Sequence, residues 1–302
     1  SKILLDCLKT YNITPEQAEL EPKNLQDFIE AVEKQQYNST HDAIVQIISV
    51  EKTQGYIEDA IQVAGRKRAV LLLDDAALTL TPEYMVEFFE IFRSLKTAHI
   101  SPKASVYPGT TQYGPRFHLG HDAEPIHVWL NVENPKYIEF MSSLTENRFE
   151  SDITIPQEIL TLFKYAAFGI PRAYIRMVRE YQQLKTTSTQ SKFNKVISDR
   201  KKYMLAEYLS IGDKLKQYQG MIGLGSEFLN NTVANLKKFN HERIDRDENT
   251  FEKVIAVGVT GIPPKAERMI RFLIEAGLLY ETDDISHGPG RKLRRFIPHI
   301  VL

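Results

Sequence analysis

The stretch Ala69-Val70-Leu71-Leu72-Leu73-Asp74-Asp75 decides how this chain is read. Five apolar residues end in two carboxylates, and the basic Arg66-Lys67-Arg68 precedes them. A run this short and unbroken predicts a strand buried on both faces of a parallel sheet, since a strand with one wet face would alternate. The two acids then emerge at the carboxyl edge of that sheet, where open α/β folds bind their ligands.

Working outward, residues 81–96 (TPEYMVEFFEIFRSLK) predict a helix, with Thr81 as cap and Pro82 at the first helical position. KASVYPGTT (103–111) predicts a second strand closed by Pro108-Gly109, and PIHVWLNV (125–132) a third, rich in β-branched and aromatic residues. Strands alternating with helices mean an α/β sheet. Residues 1–66 read as mostly helical: Leu4, Leu5 and Leu8 recur at helical spacing, Thr14-Pro15 and Asn24 are start signals, and Gly65 is a stop.

From Pro135 the chain turns helical, with proline-led segments at 135–147, 156–168 and 171–185. A polar stretch at 185–192 (KTTSTQSK) reads as a linker, residues 192–239 as a long helical stretch, and 250–302 as a last compact unit. The expected domains are a core at 1–133, a helical lid at 134–190, and long helices with a terminal domain at 191–302.

Composition narrows the classes. Of 302 residues, 42% are hydrophobic and 25% charged, ordinary globular usage. Thirty-eight Lys and Arg against 39 Asp and Glu leave a net charge of −1, so overall charge names no partner. No apolar run approaches the roughly 18 residues of a membrane span, which predicts no membrane partner. Cys7 is the only cysteine, excluding an internal disulfide and a cysteine metal cluster and predicting a reducing, cytoplasmic compartment.

Three further features follow the acidic strand in a telling order. Thr110 and Thr111 place hydroxyls at the next strand end. Gly169-Ile170-Pro171-Arg172 opens a helix with an arginine at its N-terminus, a region that faces anions. Residues 262–302 then read as helix, strand, Gly/Pro-rich tip and strand, the winged-helix pattern. The helix starts at Pro263-Pro264 and carries Lys265, Arg268 and Arg271, and from Ile285 onward Arg291, Lys292, Arg294 and Arg295 occur with no acid among them. That is the electrostatic footprint of a phosphate-binding surface, and winged helices also make protein contacts.

This order resembles the AAA+ ATPases, above all their replication-initiator and origin-recognition branch. The resemblance covers roughly residues 69–302. It implies a parallel-sheet P-loop-type α/β core, a helical lid and a C-terminal winged-helix domain. ATP and Mg²⁺ would be held between core and lid. Asp74 becomes the Walker B acid that holds Mg²⁺, Asp75 the acid that orients the attacking water, Thr110 or Thr111 sensor 1, and Arg172 a sensor 2 arginine on the γ-phosphate. Arg116, in Tyr113-Gly114-Pro115-Arg116-Phe117, stands where initiator-type members place an arginine that reaches a neighbouring subunit's nucleotide, which implies a homo-oligomer. Asp74, Asp75 and Arg172 would face one triphosphate.

The sequence departs from the family at two points. Asp75 replaces the usual Glu, which sets the carboxylate back by roughly 1.5 Å, one C–C bond. Slow hydrolysis, or a switch that only binds, then becomes credible. No Gly-x-x-x-x-Gly-Lys-Ser/Thr occurs in the chain; Gly220, Gly223 and Gly225 lack the lysine and follow the lid. Either the phosphate loop precedes Ser1, as the non-Met start favours, or the protein has lost it.

The expected function is therefore an ATP-dependent, DNA-associated AAA+ switch that would be an ATP hydrolase at full length. The rivals are a degenerate non-catalytic scaffold and a STAND-type signalling or defence ATPase, both using the C-terminal unit for protein contacts. His118, His121 and His127 lie in a Gly/Pro loop without helical zinc spacing and read as a polar turn. Trp129 reads as core.

Overall fold

The computed structural model describes residues 1–74, 82–107, 111, 113–126, 128–149, 154–185, 188–246, 252–286 and 292–302. Asp75, Thr110 and Arg291, together with Thr81, Pro108-Gly109 and His127, lie outside the described residues. The chain divides into two compact units, Ser1–Pro125 and Ile126–Leu302.

The first unit opens with four helices: α1 (Lys2–Tyr11), α2 (Pro22–Glu33), α3 (Asp42–Ile47) and α4 (Val50–Val63). Leu4, Cys7 and Leu8 lie three and four residues apart, so they share one face of α1 and bury it against Leu25 and Phe28 of α2 and Tyr56, Ile57 and Ala60 of α4. Gly65 adopts φ 60° just past α4, as a helix stop requires. Thr14-Pro15 starts no helix. The chain makes a short 3-10 turn at Ala18–Leu20 and α2 begins at Pro22, where proline again fills the first turn. Asn24 lies inside α2, its side-chain amide donating to the Ala18 carbonyl at 2.9 Å.

β1 (Ala69–Leu73), α5 (Pro82–Leu95) and β2 (Ile100–Ala104) complete this unit. β1 and β2 pair in parallel, from Ala69 opposite Ile100 to Leu73 opposite Ala104. The expectation of burial on both faces needs correction. Ala69 and Leu71 pack on the α1–α4 core, and Leu73 packs with Phe88, Phe89 and Phe92 of α5. Val70 and Leu72 point the other way, and Leu72 is 78% exposed. Both helix packings thus fall on one side of β1, because side chains alternate along a strand.

The second unit contains α6 (Tyr137–Arg148), α7 (Gln157–Ala166), α8 (Pro171–Gln183), α9 (Thr189–Lys214), α10 (Gln219–Arg246), β3 (Val257–Val259), α11 (Pro264–Glu275), β4 (Leu279–Ser286) and β5 (Lys292–Pro298). Ala173, Tyr174, Met177, Val178 and Tyr181 form the buried stripe of α8 and pack on Tyr137, Met141 and Phe163. α8 ends at Gln183, and Ser188 caps α9 through its side chain, so the predicted linker shrinks to the residues between. Met204, Tyr208, Ile222 and Leu229 of the long helices close over Ile270, Phe272 and Leu273 of α11 and Phe296 of β5. The sheet is antiparallel in the order β3-β5-β4.

Gly225 sets the contact between α9 and α10. A Cβ there would meet the Tyr208 hydroxyl at 2.1 Å, and that hydroxyl donates to the Ile222 carbonyl at 3.1 Å. Gly223, two residues earlier, has open space around it. In urea denaturation Gly225→Ala is expected to lose about 2–3 kcal/mol, because overpacking and a displaced buried hydroxyl outweigh the gain in helix propensity. Gly223→Ala should instead gain up to about 1 kcal/mol.

Candidate functional site

The parallel register brings two polar side chains to one edge. Ser105 continues β2 by one step, its N–H donating to the Leu73 carbonyl at 3.0 Å. Its hydroxyl then donates to Asp74 Oδ1 at 2.8 Å. An exposed carboxylate and a hydroxyl therefore stand together just past the carboxyl ends of adjacent strands. Sequence reading missed Ser105. The available signal was registry: a strand starting at Ile100, not Lys103, puts Ser105 beside Asp74.

Thr111 is buried: its Oγ1 accepts the Tyr107 N–H at 3.0 Å and its own N–H donates to the Tyr107 carbonyl at 3.1 Å. Arg116 is exposed, and its carbonyl accepts from Arg93 at 3.4 Å. It is followed by Phe117, which anchors this segment on Phe89 of α5 at 4.9 Å.

Arg172 is the second residue of α8 and is exposed. The turn beneath it is held from several sides. Phe168 and Gly169 take left-handed backbone, φ 51° and 79°. The Gly169 N–H donates to the Tyr137 hydroxyl at 3.1 Å, and burial pushes the Tyr137 phenol up to about 12. The Trp129 indole donates to the Phe168 carbonyl at 2.7 Å. A guanidinium on a turn so fixed projects from the N-terminal end of a helix, where unpaired N–H groups favour anions.

Trp129 also corrects the expected third strand. Residues 128–133 are neither in a sheet nor in a helix. Val128 is 94% exposed, and half-buried Trp129 instead packs edge-on to Phe168 at 5.8 Å and against Tyr280 of β4 at 5.2 Å. The β-branched pattern reads as a strand, yet these side chains meet a helix turn and a hairpin. The stretch is a strap within the second unit. His299, which is 1% exposed, lies behind it with its ring 4.6 Å from Phe168.

The C-terminal basic residues divide into two groups. Lys265 and Lys292 are exposed. Arg268, Arg294 and Arg295 meet partners from other elements. Arg268 stacks over Tyr218, 4.6 Å from the ring centroid. Arg294 pairs with Glu267 of α11 and with Glu281 of β4 at 2.6 Å. Arg295 makes a two-pronged bond to Glu133 of the strap, at 2.7 and 2.6 Å. The arginine beside each acid holds Glu267 and Glu133 below the usual carboxylate range. The expected run of free charge on β5 is therefore largely compensated from other elements: Arg294 and Arg295 are ion-paired.

Among the described residues no group of three or more His, Cys, Asp or Glu could hold a metal ion, and no helix is long and apolar enough to cross a membrane. His118 donates its backbone N–H to Asp122 at 2.7 Å in a tight turn. Comparison with family models, curated proteins and solved structures finds no match to this chain.

Proposed function

We propose that this chain belongs to an ATP-dependent, DNA-associated switch of the AAA+ type. One observation carries the reading. The acid ending the apolar strand and a hydroxyl ending its parallel neighbour meet at 2.8 Å, in the arrangement the family uses for a Walker B acid and a sensor 1 side chain. Asp74 and Ser105 offer hard oxygen donors, which suit Mg²⁺, and Mg²⁺ would supply charge neutralisation for phosphates. Here Ser105 takes the sensor 1 role that the sequence assigned to Thr110 or Thr111. Arg172, exposed on its braced turn, is the γ-phosphate sensor, and Arg116 the arginine offered to a neighbouring subunit. The β3-β5-β4 sheet, with α11 between β3 and β4 in the chain, supports a winged-helix assignment for the C-terminus, with Lys265 and Lys292 as exposed phosphate contacts.

The scaffold reading has its own support. Arg294 and Arg295 are ion-paired, Arg268 is stacked, and the chain has no phosphate-loop motif.

Equilibrium binding of ATP and ADP to the protein separates the two. Arg172→Ala is expected to lose roughly tenfold in affinity for ATP while leaving ADP unchanged, because one charge-assisted contact to the γ-phosphate is worth about 1.5–3 kcal/mol. Equal weakening of both nucleotides, or no binding by the wild type, would reject the switch and favour the scaffold.

A further inference from the structure

Arg294 and Arg295 are adjacent on the central strand of the antiparallel sheet, so they face opposite sides. Their acids differ in origin. Glu267 and Glu281 belong to α11 and β4, the elements that build the same domain. Glu133 comes from the strap, before α6, more than a hundred residues earlier in sequence. The strap is attached to this side of the hairpin by Glu133 and by the Trp129 ring on Tyr280, and to the turn before α8 by the Trp129 indole on the Phe168 carbonyl. It contributes no strand pairing. Arg295 also donates to Thr282 Oγ1 at 3.3 Å.

A carboxylate bound by both prongs of a guanidinium occupies the geometry that a backbone phosphate would take. We infer that Glu133 acts as an internal competitor for nucleic-acid phosphate at Arg295, so that the strap must release before β5 engages a duplex. This inference rests on the DNA-binding reading and adds a regulation to it. Arg294, whose acids move with the sheet, stays paired throughout. The strap also carries the indole that fixes the Phe168-Gly169 turn beneath Arg172, so release at one end loosens the support of the other.

The test is duplex DNA binding by the whole protein over a salt series. Glu133→Gln keeps the shape and removes the charge. It is expected to tighten binding roughly tenfold at low salt and to steepen the salt dependence by about 0.9, the increment for one added phosphate contact. Adding Arg295→Ala to Glu133→Gln should return both to wild-type values. Trp129 is the only tryptophan, so its emission reports the strap in the unaltered protein. Duplex DNA should shift that emission to longer wavelength as the indole leaves Phe168 and Tyr280. Wild-type binding with unchanged emission, or Glu133→Gln indistinguishable from wild type in affinity and slope, would overturn the inference and leave the DNA reading intact. No duplex binding by wild type or variant at low salt would remove both.

Discussion

Gly169→Ala is expected to destabilise the second unit by roughly 3–5 kcal/mol, the size of effect that follows when backbone strain and a steric overlap coincide. Gly169 sits at φ 79°, where a side chain is strained regardless of space. Space is also lacking. A Cβ would lie 2.1 Å from the Leu130 carbonyl oxygen and 2.8 Å from the Trp129 ring. The carbonyl is backbone and cannot rotate aside, so the strap itself has to move. That movement breaks the indole bond to the Phe168 carbonyl and opens the ring contacts of Trp129 with Phe168 and Tyr280. Thermal or urea denaturation followed by Trp129 emission measures the loss. A change below about 1 kcal/mol would show that the strap yields easily and is not braced as described.

Acid is expected to unfold this protein early, and His299 is the reason. Burial, helped by the nearby Arg200 cation, pulls its imidazole down to about 3. The unfolded chain protonates histidine near its ordinary value of 6.5. Between those limits the unfolded state holds a proton that the folded state refuses. Stability contributed by the neutral ring is therefore complete above pH 6.5 and falls as pH drops toward 3, by about 1.4 kcal/mol per unit at full slope. Glu133 and Glu267, held low by Arg295 and Arg294, add their own loss only below the ordinary carboxylate value of 4.5. His299 therefore loses its contribution from pH 6.5 downward, above the range in which those two carboxylates act. Urea midpoints measured between pH 6.5 and about 5 should slope downward in the wild type and flatten in His299→Leu, a difference of roughly 2 kcal/mol across the interval. Parallel profiles for the two proteins would show that His299 accepts its proton inside the fold.

Local signals were legible where one element explained itself. The apolar run at 69–73, the proline starts of α5 and α8, and the stop at Gly65 are decided by backbone chemistry within a few residues. What depended on distant partners was not. Asp74 was visible as an acid at a strand end, but its partner Ser105 required the register of β2, whose first residues include Pro102 and look like a loop. The segment 125–132 has a strand's composition, and the docking of Trp129 on Phe168 and Tyr280 makes its described part from residue 128 onward a strap. The basic stretch from Lys292 to Arg295 contains no acid, so it read as free positive charge; Glu133, Glu267 and Glu281 enter from three other places in the chain. Trp129, read as core, is half-buried and serves as the joint between a helix turn and a hairpin.

The proposed metal-bound nucleotide at the end of β1 is open to a paramagnetic test. Mn²⁺, which takes the same oxygen ligands as Mg²⁺, bleaches nearby amide signals in NMR spectra. With Mn²⁺ and ATP added together, the amides of Leu73, Asp74 and Ser105 should vanish first, and Asp74→Asn should restore them. Unperturbed signals at those three residues, with bleaching elsewhere or nowhere, would rule out a metal-bound nucleotide at that strand end.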